Sequence, residues 1–205
     1  MPPLHFSPAA DRNKQAIFDV LRLVLPAHGH ALEIASGTGQ HVAWFAAGLA
    51  HWTWQPTDAL PAAMDTISSW VAEQRLDNVR PPRFLDVMAP EWLPADRRFD
   101  LIYCANMLHI SPWATCTALM QGSARHLASG GQLVTYGPYF ERDVPASEGN
   151  VAFDECLREQ NPAWGIRGVE DVVHVAAQSG LQLQARHAMP ANNLLLVWRA
   201  AAQSL

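Results

Sequence analysis

Three acidic residues, Glu33, Asp58 and Asp86, stand at or near the ends of short apolar runs, and the first is followed at once by Ala35-Ser36-Gly37-Thr38-Gly39. A carboxylate at a strand end accepts two hydrogen bonds at fixed geometry, which suits ribose hydroxyls, while glycine lets backbone approach a ligand. This combination points to a nucleotide-type ligand. A dinucleotide fingerprint, Gly-x-Gly-x-x-Gly, requires glycine at position 42, where Val42 stands, and this disfavours an NAD(P)-linked oxidoreductase. A phosphate loop requires Gly-Lys-Ser/Thr, and Gly39 is followed by Gln40-His41, which removes the ATP reading. Downstream, His109 is the candidate general base, because imidazole titrates near neutrality. Its other reading is a ring that hydrogen-bonds a backbone carbonyl and packs beneath the ligand.

These residues need a scaffold that gathers strand ends at one edge. Apolar residues at helical spacing predict a helix over residues 11–25, stopped by Pro26. "ALEIA" predicts a buried strand, residues 38–49 a helix that starts in the glycine loop, and "WTWQPTD" a strand ending at Asp58. "AAMDTISSWVAEQ" predicts a helix, "PRFLDV" a strand ending around Asp86, and "FDLIYCAN" a strand ending at Asn106. Residues 111–127 predict a helix closed by Gly130-Gly131, with "QLVTYG" as the next strand. Strands this apolar, alternating with helices, predict a doubly wound α/β fold around a parallel sheet covered on both faces. The rhythm breaks over residues 138–167, a long aromatic and polar connection expected to be a substrate lid. A helix, "VEDVVHVAAQSG", and two strands, "LQLQARHAM" and "NLLLVWRA", follow, and their three-residue link demands an antiparallel pair.

A chain of 205 residues is expected to fold as one domain spanning 1–205. Charged residues are 16% of the chain against roughly 25% in an average soluble domain, so much of it must be buried. With a net charge of −5 and no basic run, nucleic acid is a poor partner. No segment has the length of apolar residues that a membrane span needs, and no secretory leader pattern is visible, so a soluble, cytoplasmic protein is expected. Cys104, Cys116 and Cys156 are scattered, and the nine histidines show no ligand spacing, so no metal is expected. Oligomeric state, monomer or homodimer, stays open.

The acid, the loop Ala35-Ser36-Gly37-Thr38-Gly39 and the second acid Asp58 resemble motifs I and II of class I S-adenosylmethionine-dependent methyltransferases, and Asp86 in "LDVM" matches their third-strand acid. Further blocks, "RNKQAIFDVL", "NMLHISPW", "TYGPY", "NVAFDECLR", "NPAWGIR" and "MPANNL", span nearly the whole chain. On these the chain is identified as a member of the domain of unknown function 938 family, which includes the methyltransferase-like 26 proteins. The resemblance implies a Rossmann-like, seven-stranded, mostly parallel sheet of order 3-2-1-4-5-7-6 with strand 7 antiparallel. It implies S-adenosyl-L-methionine as cofactor, S-adenosyl-L-homocysteine as product and a small-molecule acceptor, its O, N or S nucleophile undecided. The alternative is a catalytically silent protein that binds the cofactor and serves as an interaction module.

For the cofactor, the resemblance singles out Glu33, Ala35, Ser36, Gly37, Thr38, Gly39, Asp58, Asp86 and Val87, with Asn106 and Met107 toward the sulfonium end. Ala35 departs from the glycine often found there, and one methyl is expected to be tolerated. Arg12 or Asn13 is expected to reach the methionine carboxylate, unless both are a solvated helix start. For the acceptor, Tyr136, Tyr139, Phe153 and Trp164 suggest an apolar wall, with Asn150, Asp154 and Arg167 as orienting polar groups. Arg167 points to an anionic acceptor such as a carboxylate. The competing reading is that the aromatic residues glue the connection to the sheet. Asn192 and Asn193 either project to the same mouth or satisfy turn backbone.

Overall fold

The computed structural model describes residues 4–201. Residues 1–3 and 202–205, part of the expected domain range, lie outside the described residues. Helix α1, Pro8–Val24, starts earlier than its apolar spacing predicts. Ser7 caps it by accepting from the Ala10 N–H, and Pro8 occupies the first turn, where its missing N–H has no partner to lose. Strand β1, Gly29–Ile34, follows, then helix α2, Gln40–Gly48, and strand β2, Trp52–Asp58. Helix α3 is Ala63–Glu73 and strand β3 only Arg83–Phe84, because the chain turns out of the sheet before Asp86.

Strand β4, Phe99–Ala105, leads through a 3-10 turn, Leu108–Ile110, to helix α4, Trp113–His126. Here the expected glycine cap is replaced. Leu127 is already extended, and strand β5 runs Leu127–Phe140. Leu127 pairs with Phe99 and Gln132 with Leu101, so residues between them bulge, and Gly130 at φ +75° makes that bulge. A Cβ on Gly131 would stand 2.8 Å from the Phe99 carbonyl oxygen. The glycine pair shapes a strand entry rather than a helix exit.

The long connection is largely helical: α5 covers Glu148–Gln160, and a two-residue strand β6, Arg167–Gly168, pairs with β5 before helix α6, Val169–Gln178. Strands β7, Leu181–Met189, and β8, Asn193–Ala200, form the antiparallel pair. The main sheet order is β3-β2-β1-β4-β5-β8-β7, with β8 antiparallel to β5. The extra β6 makes eight strands; with it set aside, the order is the anticipated 3-2-1-4-5-7-6.

Period-two alternation divides the core. Leu32, Ile34, Ile102, Leu133 and Trp198 face α4 and α6, whereas Ala31, Leu101, Tyr103, Val134 and Val197 pack beneath α1 and α2 with Ile17, Leu21 and Phe45. Each fully buried Leu, Ile, Val or Phe among them contributes roughly 1.5–3 kcal/mol of transfer free energy. Glu33 shares the register of Ala31, so the strand's alternation drives a carboxyl into the apolar layer under α1 and α2. No helix among the described residues is long and apolar enough to cross a membrane.

Candidate functional site

At the end of β1 the chain turns through Ala35, whose φ of +55° is left-handed and therefore strained for an L-residue with a Cβ. The Ser36 N–H donates to the Thr57 carbonyl at 2.9 Å and its Oγ accepts from the Thr57 N–H at 3.2 Å, which clips the loop to β2. Gly37, at φ +56°, donates its N–H to Asp58 Oδ2 at 2.8 Å, and the space where its Cβ would stand is open. Thr38 Oγ1 donates to Gln40 Oε1 at 3.0 Å. Gly39, at φ +85°, precedes α2, and a Cβ there would stand 2.7 Å from Ile67 Cα, so this glycine is what lets α3 approach. No side chain caps α2, and its first N–H groups remain available. Val42 is fully buried in the core where a dinucleotide loop carries glycine.

Asp58 is buried, and its Oδ1 accepts the Leu60 N–H at 2.8 Å. Each oxygen keeps a second lone pair for a ligand. Asp86 is exposed and holds its own loop through the Met88 N–H at 2.8 Å, while Val87 beside it is buried. Because β3, β2 and β1 are neighbours, these acids share one sheet edge.

Glu33 is 2% exposed, and its Oε2 has no hydrogen-bond partner among the described residues. Burial pushes its carboxyl up to about 8, Asp58 adds to the rise and a hydrogen bond with Ser36 opposes it. Beside it on β4 stands Tyr103, whose hydroxyl lies 3.2 Å from His41 Nδ1; His41 Nε2 lies 2.7 Å from Asn13 Oδ1. A neutral imidazole that donates from Nε2 and accepts the tyrosine proton at Nδ1 satisfies this chain. Burial brings His41 down to about 4 and holds it in that state, although the Ala10 carbonyl, as a hydrogen-bond acceptor for the ring, works the other way. Asn13 also opposes the rise that burial gives the Tyr136 phenol. The chain of polar groups ties α1 to α2 and to the sheet, with Asn13 turned in and Arg12 exposed. His41 and Tyr103 escaped the sequence reading. The only signal for His41 was its place directly after the glycine loop, and Tyr103 was hidden inside an apolar strand.

On the other side of the same edge, Asn106 takes φ +57° and donates its N–H to the Tyr136 carbonyl at 2.8 Å. Met107 follows with its sulfur 3.9 Å from Cys104 Sγ. His109, on the 3-10 turn, is 7% exposed, and among the described residues no hydrogen bond engages its ring nitrogens. Burial first, then the Arg167 cation, bring it down to about 4, so it is neutral at pH 7. A Cβ on Gly137 would stand 3.4 Å from its Nδ1, and the Phe153 ring meets it edge-on at 5.6 Å.

Arg167 is committed to backbone. Its guanidinium donates to the carbonyls of Leu108 at 3.0 Å, Ser111 and Ala163 at 2.9 Å, and stacks over Trp113 at 5.6 Å. Asp154 is likewise engaged, accepting from the Ile166 N–H at 2.6 Å and Arg158 Nε at 2.8 Å. Together they fasten α5 and the segment before β6 around the His109 turn, helped by the Gly165 N–H to His109 carbonyl bond of 3.0 Å.

Tyr136 and Tyr139 do not share a wall: Tyr136 faces the α1 and α2 layer, whereas Tyr139 is buried on the other face and donates its hydroxyl to Thr135 Oγ1 at 3.0 Å. Asn150 Nδ2 donates to the Asn192 carbonyl at 3.1 Å, joining α5 to the β7–β8 turn. Asn193 closes that turn by donating to the Pro190 carbonyl at 3.0 Å. Trp164 is half-buried. Two cavities of about 200 and 280 Å³ lie elsewhere, the first lined by His30, Gln55, Arg80 and Arg97, the second by Val71, Leu76, Val79 and Pro81; neither borders Glu33 or His109. Among the described residues no group of three His, Cys, Asp or Glu side chains is placed to hold a metal ion.

The architecture matches solved methyltransferase structures. An O-methyltransferase family protein from Burkholderia thailandensis superposes with a TM-score of 0.78 at 16% identity, covering 96% of this chain and 58% of its own. An O-methyltransferase family 2 protein from Planctomyces limnophilus, in complex with apigenin, gives 0.74 at 16% identity, covering 92% and 62%. CalO1, a methyltransferase in calicheamicin biosynthesis in its SAH-bound form, gives 0.71 at 13%, covering 91% and 54%. The chain thus spans a little over half the length of these structures, and the likeness establishes the fold. Residues 4–200 match the family described as Protein of unknown function (DUF938), and the chain belongs to that family.

Proposed function

We propose that the protein is an S-adenosyl-L-methionine-dependent methyltransferase acting on a small-molecule acceptor that carries a proton on its nucleophilic atom, with S-adenosyl-L-homocysteine as product. Kinship with the methyltransferase-like 26 proteins belongs to the same proposal. The observation that carries it is the unpartnered, buried Glu33 Oε2 at one sheet edge with the glycine turn and Asp58. An orphaned acceptor in an apolar layer is costly unless a ligand satisfies it, and an ammonium group does so with charge as well as a hydrogen bond.

Glu33 would hold the amino end of the cofactor, Asp58 the ribose hydroxyls, and the uncapped N–H groups of α2 the carboxylate. Val87 and the exposed Asp86 would border the base end, and Asn106 and Met107 the sulfonium end. The likeness to CalO1, solved in its SAH-bound form, supports the same cofactor. When bound, it supplies an electrophilic methyl group. The rest is alignment and proton removal. Asn13, held by His41, fixes α1 across the loop, and His109, neutral at pH 7, would accept the acceptor's proton.

Calorimetry separates the cofactors: S-adenosylhomocysteine binds and NADH does not, and the reverse result overturns the reading. Labelled methyl donor incubated with a metabolite extract then gives a methylated product, and His109→Gln reduces that turnover while keeping affinity for S-adenosylhomocysteine. A protein that bound the cofactor and labelled nothing would be the silent interaction module.

A further inference from the structure

The surroundings of His109 narrow the acceptor, and the argument rests on the methyltransferase reading. On α5, Asn150, Asp154 and Leu157 all turn toward the body of the protein: Asn150 bonds the Asn192 carbonyl, Asp154 bonds the Ile166 N–H, and Leu157 is buried. Phe153 lies on this inward face against His109, yet it is 41% exposed. Phe153 therefore meets both the imidazole and solvent, at an open edge between its helix and the body where a ligand can reach both. Two other large apolar side chains next to His109 are incompletely covered as well, Ile110 at 44% and Trp113 at 37%. Gly137 presents only backbone beside the imidazole.

The cation nearest this edge is mostly engaged elsewhere. Arg167 directs three of its N–H groups to carbonyls and its face to Trp113. It stiffens the turn that carries His109, and only its Nη1 group is left for a carboxylate acceptor. The apolar rim therefore favours a flat, uncharged ring, which packs edge or face against Phe153 and Trp113. Burial also makes His109 a weak base. Of two hydroxyl nucleophiles, the more acidic gives its proton to a weak base more readily, which favours a phenol over an alkanol.

We propose that the acceptor is an aromatic molecule bearing a phenolic hydroxyl, its ring seated against Phe153 and its hydroxyl directed at His109. The hydroxyl oxygen forms the new C–O bond to the methyl carbon, and the hydroxyl proton passes to an imidazole nitrogen of His109. The C–S bond of the sulfonium donor breaks with its electron pair left on sulfur, so that a methyl ether, a thioether and a protonated imidazole balance the step.

The test uses 2-naphthol, catechol and phenol beside cyclohexanol, aniline and benzoate, each with the intact chain and S-adenosylmethionine. Binding of the first three to the S-adenosylhomocysteine complex is measured by calorimetry. The phenolic probes bind and give methyl ethers. Phe153→Ala raises the KM for 2-naphthol about tenfold and leaves S-adenosylhomocysteine affinity unchanged, which also shows that the variant is folded. If S-adenosylhomocysteine binds but no phenol binds or reacts, or if benzoate, aniline or cyclohexanol is methylated in preference, the inference is overturned and the cofactor reading stands. If S-adenosylhomocysteine itself fails to bind, both fall.

Discussion

Glu33→Gln isolates what the buried carboxyl does to the fold. In the unfolded chain this carboxyl has its ordinary value of 4.5, and in the folded protein burial raises it to about 8. The folded state therefore holds a proton that the unfolded state releases across this interval. Stability from the protonated form is fully present below 4.5 and is lost as pH rises through about 8. At about 1.4 kcal/mol per pH unit, the loss amounts to about 3 kcal/mol at pH 7 and about 4 kcal/mol at pH 8. Glutamine has the shape of the neutral acid and cannot ionise. The variant and the parent should match near pH 4.5, and the variant should gain on the parent as pH rises, by about 6–12 °C in melting temperature at pH 7. Urea melts at half-unit pH steps from 4.5 to 8, without ligand, give the difference directly. Parallel curves over that range would refute the assignment of a buried, neutral Glu33. The same variant should bind S-adenosylhomocysteine at least tenfold more weakly, because an amide meets an ammonium group without charge.

Three further outcomes follow from the geometry. Gly39→Ala places a methyl 2.7 Å from Ile67 Cα at a φ of +85°, so it should destabilise the fold by about 2–3 kcal/mol and abolish cofactor binding, read by thermal melts and calorimetry. Ala35→Gly relieves a left-handed residue at φ +55° and should raise stability by up to about 1 kcal/mol, with the unfolded chain's added freedom offsetting part of the gain; a clear loss would show that the methyl makes a contact that matters. Arg167→Met removes both the carbonyl clamp and the cation beside His109. The imidazole should then titrate higher by NMR, although burial keeps it below its ordinary value, and kcat should fall more than cofactor affinity.

The half of the candidate site around the glycine turn was legible because its requirements are local. A tight turn after a strand needs glycine at set positions, and carboxylates at successive strand ends announce themselves by contrast with the apolar residues before them. Gly37, Gly39, Glu33 and Asp58 stand where that reading put them. The second half was not legible, because its residues meet only through tertiary packing. Nothing near Arg167 in the chain says that the carbonyls of Leu108 and Ser111 will lie within its reach, so an arginine in a lid reads as an anion receptor. Tyr139 likewise reads as part of a wall until the β5 register turns it into the core. Gly130-Gly131 reads as a helix cap because a helix precedes it, and only the pairing with β4 reveals a bulge.

Three of the site's ionisable groups share one physical state. Glu33, His41 and His109 stand on different elements, yet burial drives each toward its neutral form at pH 7, the acid by raising it and the two imidazoles by lowering them. A cleft that is uncharged at these positions suits a reaction in which a cationic donor and a neutral acceptor become two neutral products and one proton. Glu33 ionises most readily when a cation arrives beside it, so cofactor binding should release protons between pH 5 and 8, where Glu33→Gln should release fewer. Calorimetry in buffers of different ionisation enthalpy measures that count. Equal proton release by the parent and the variant would separate Glu33 from the cofactor and return the unpartnered oxygen to a structural role.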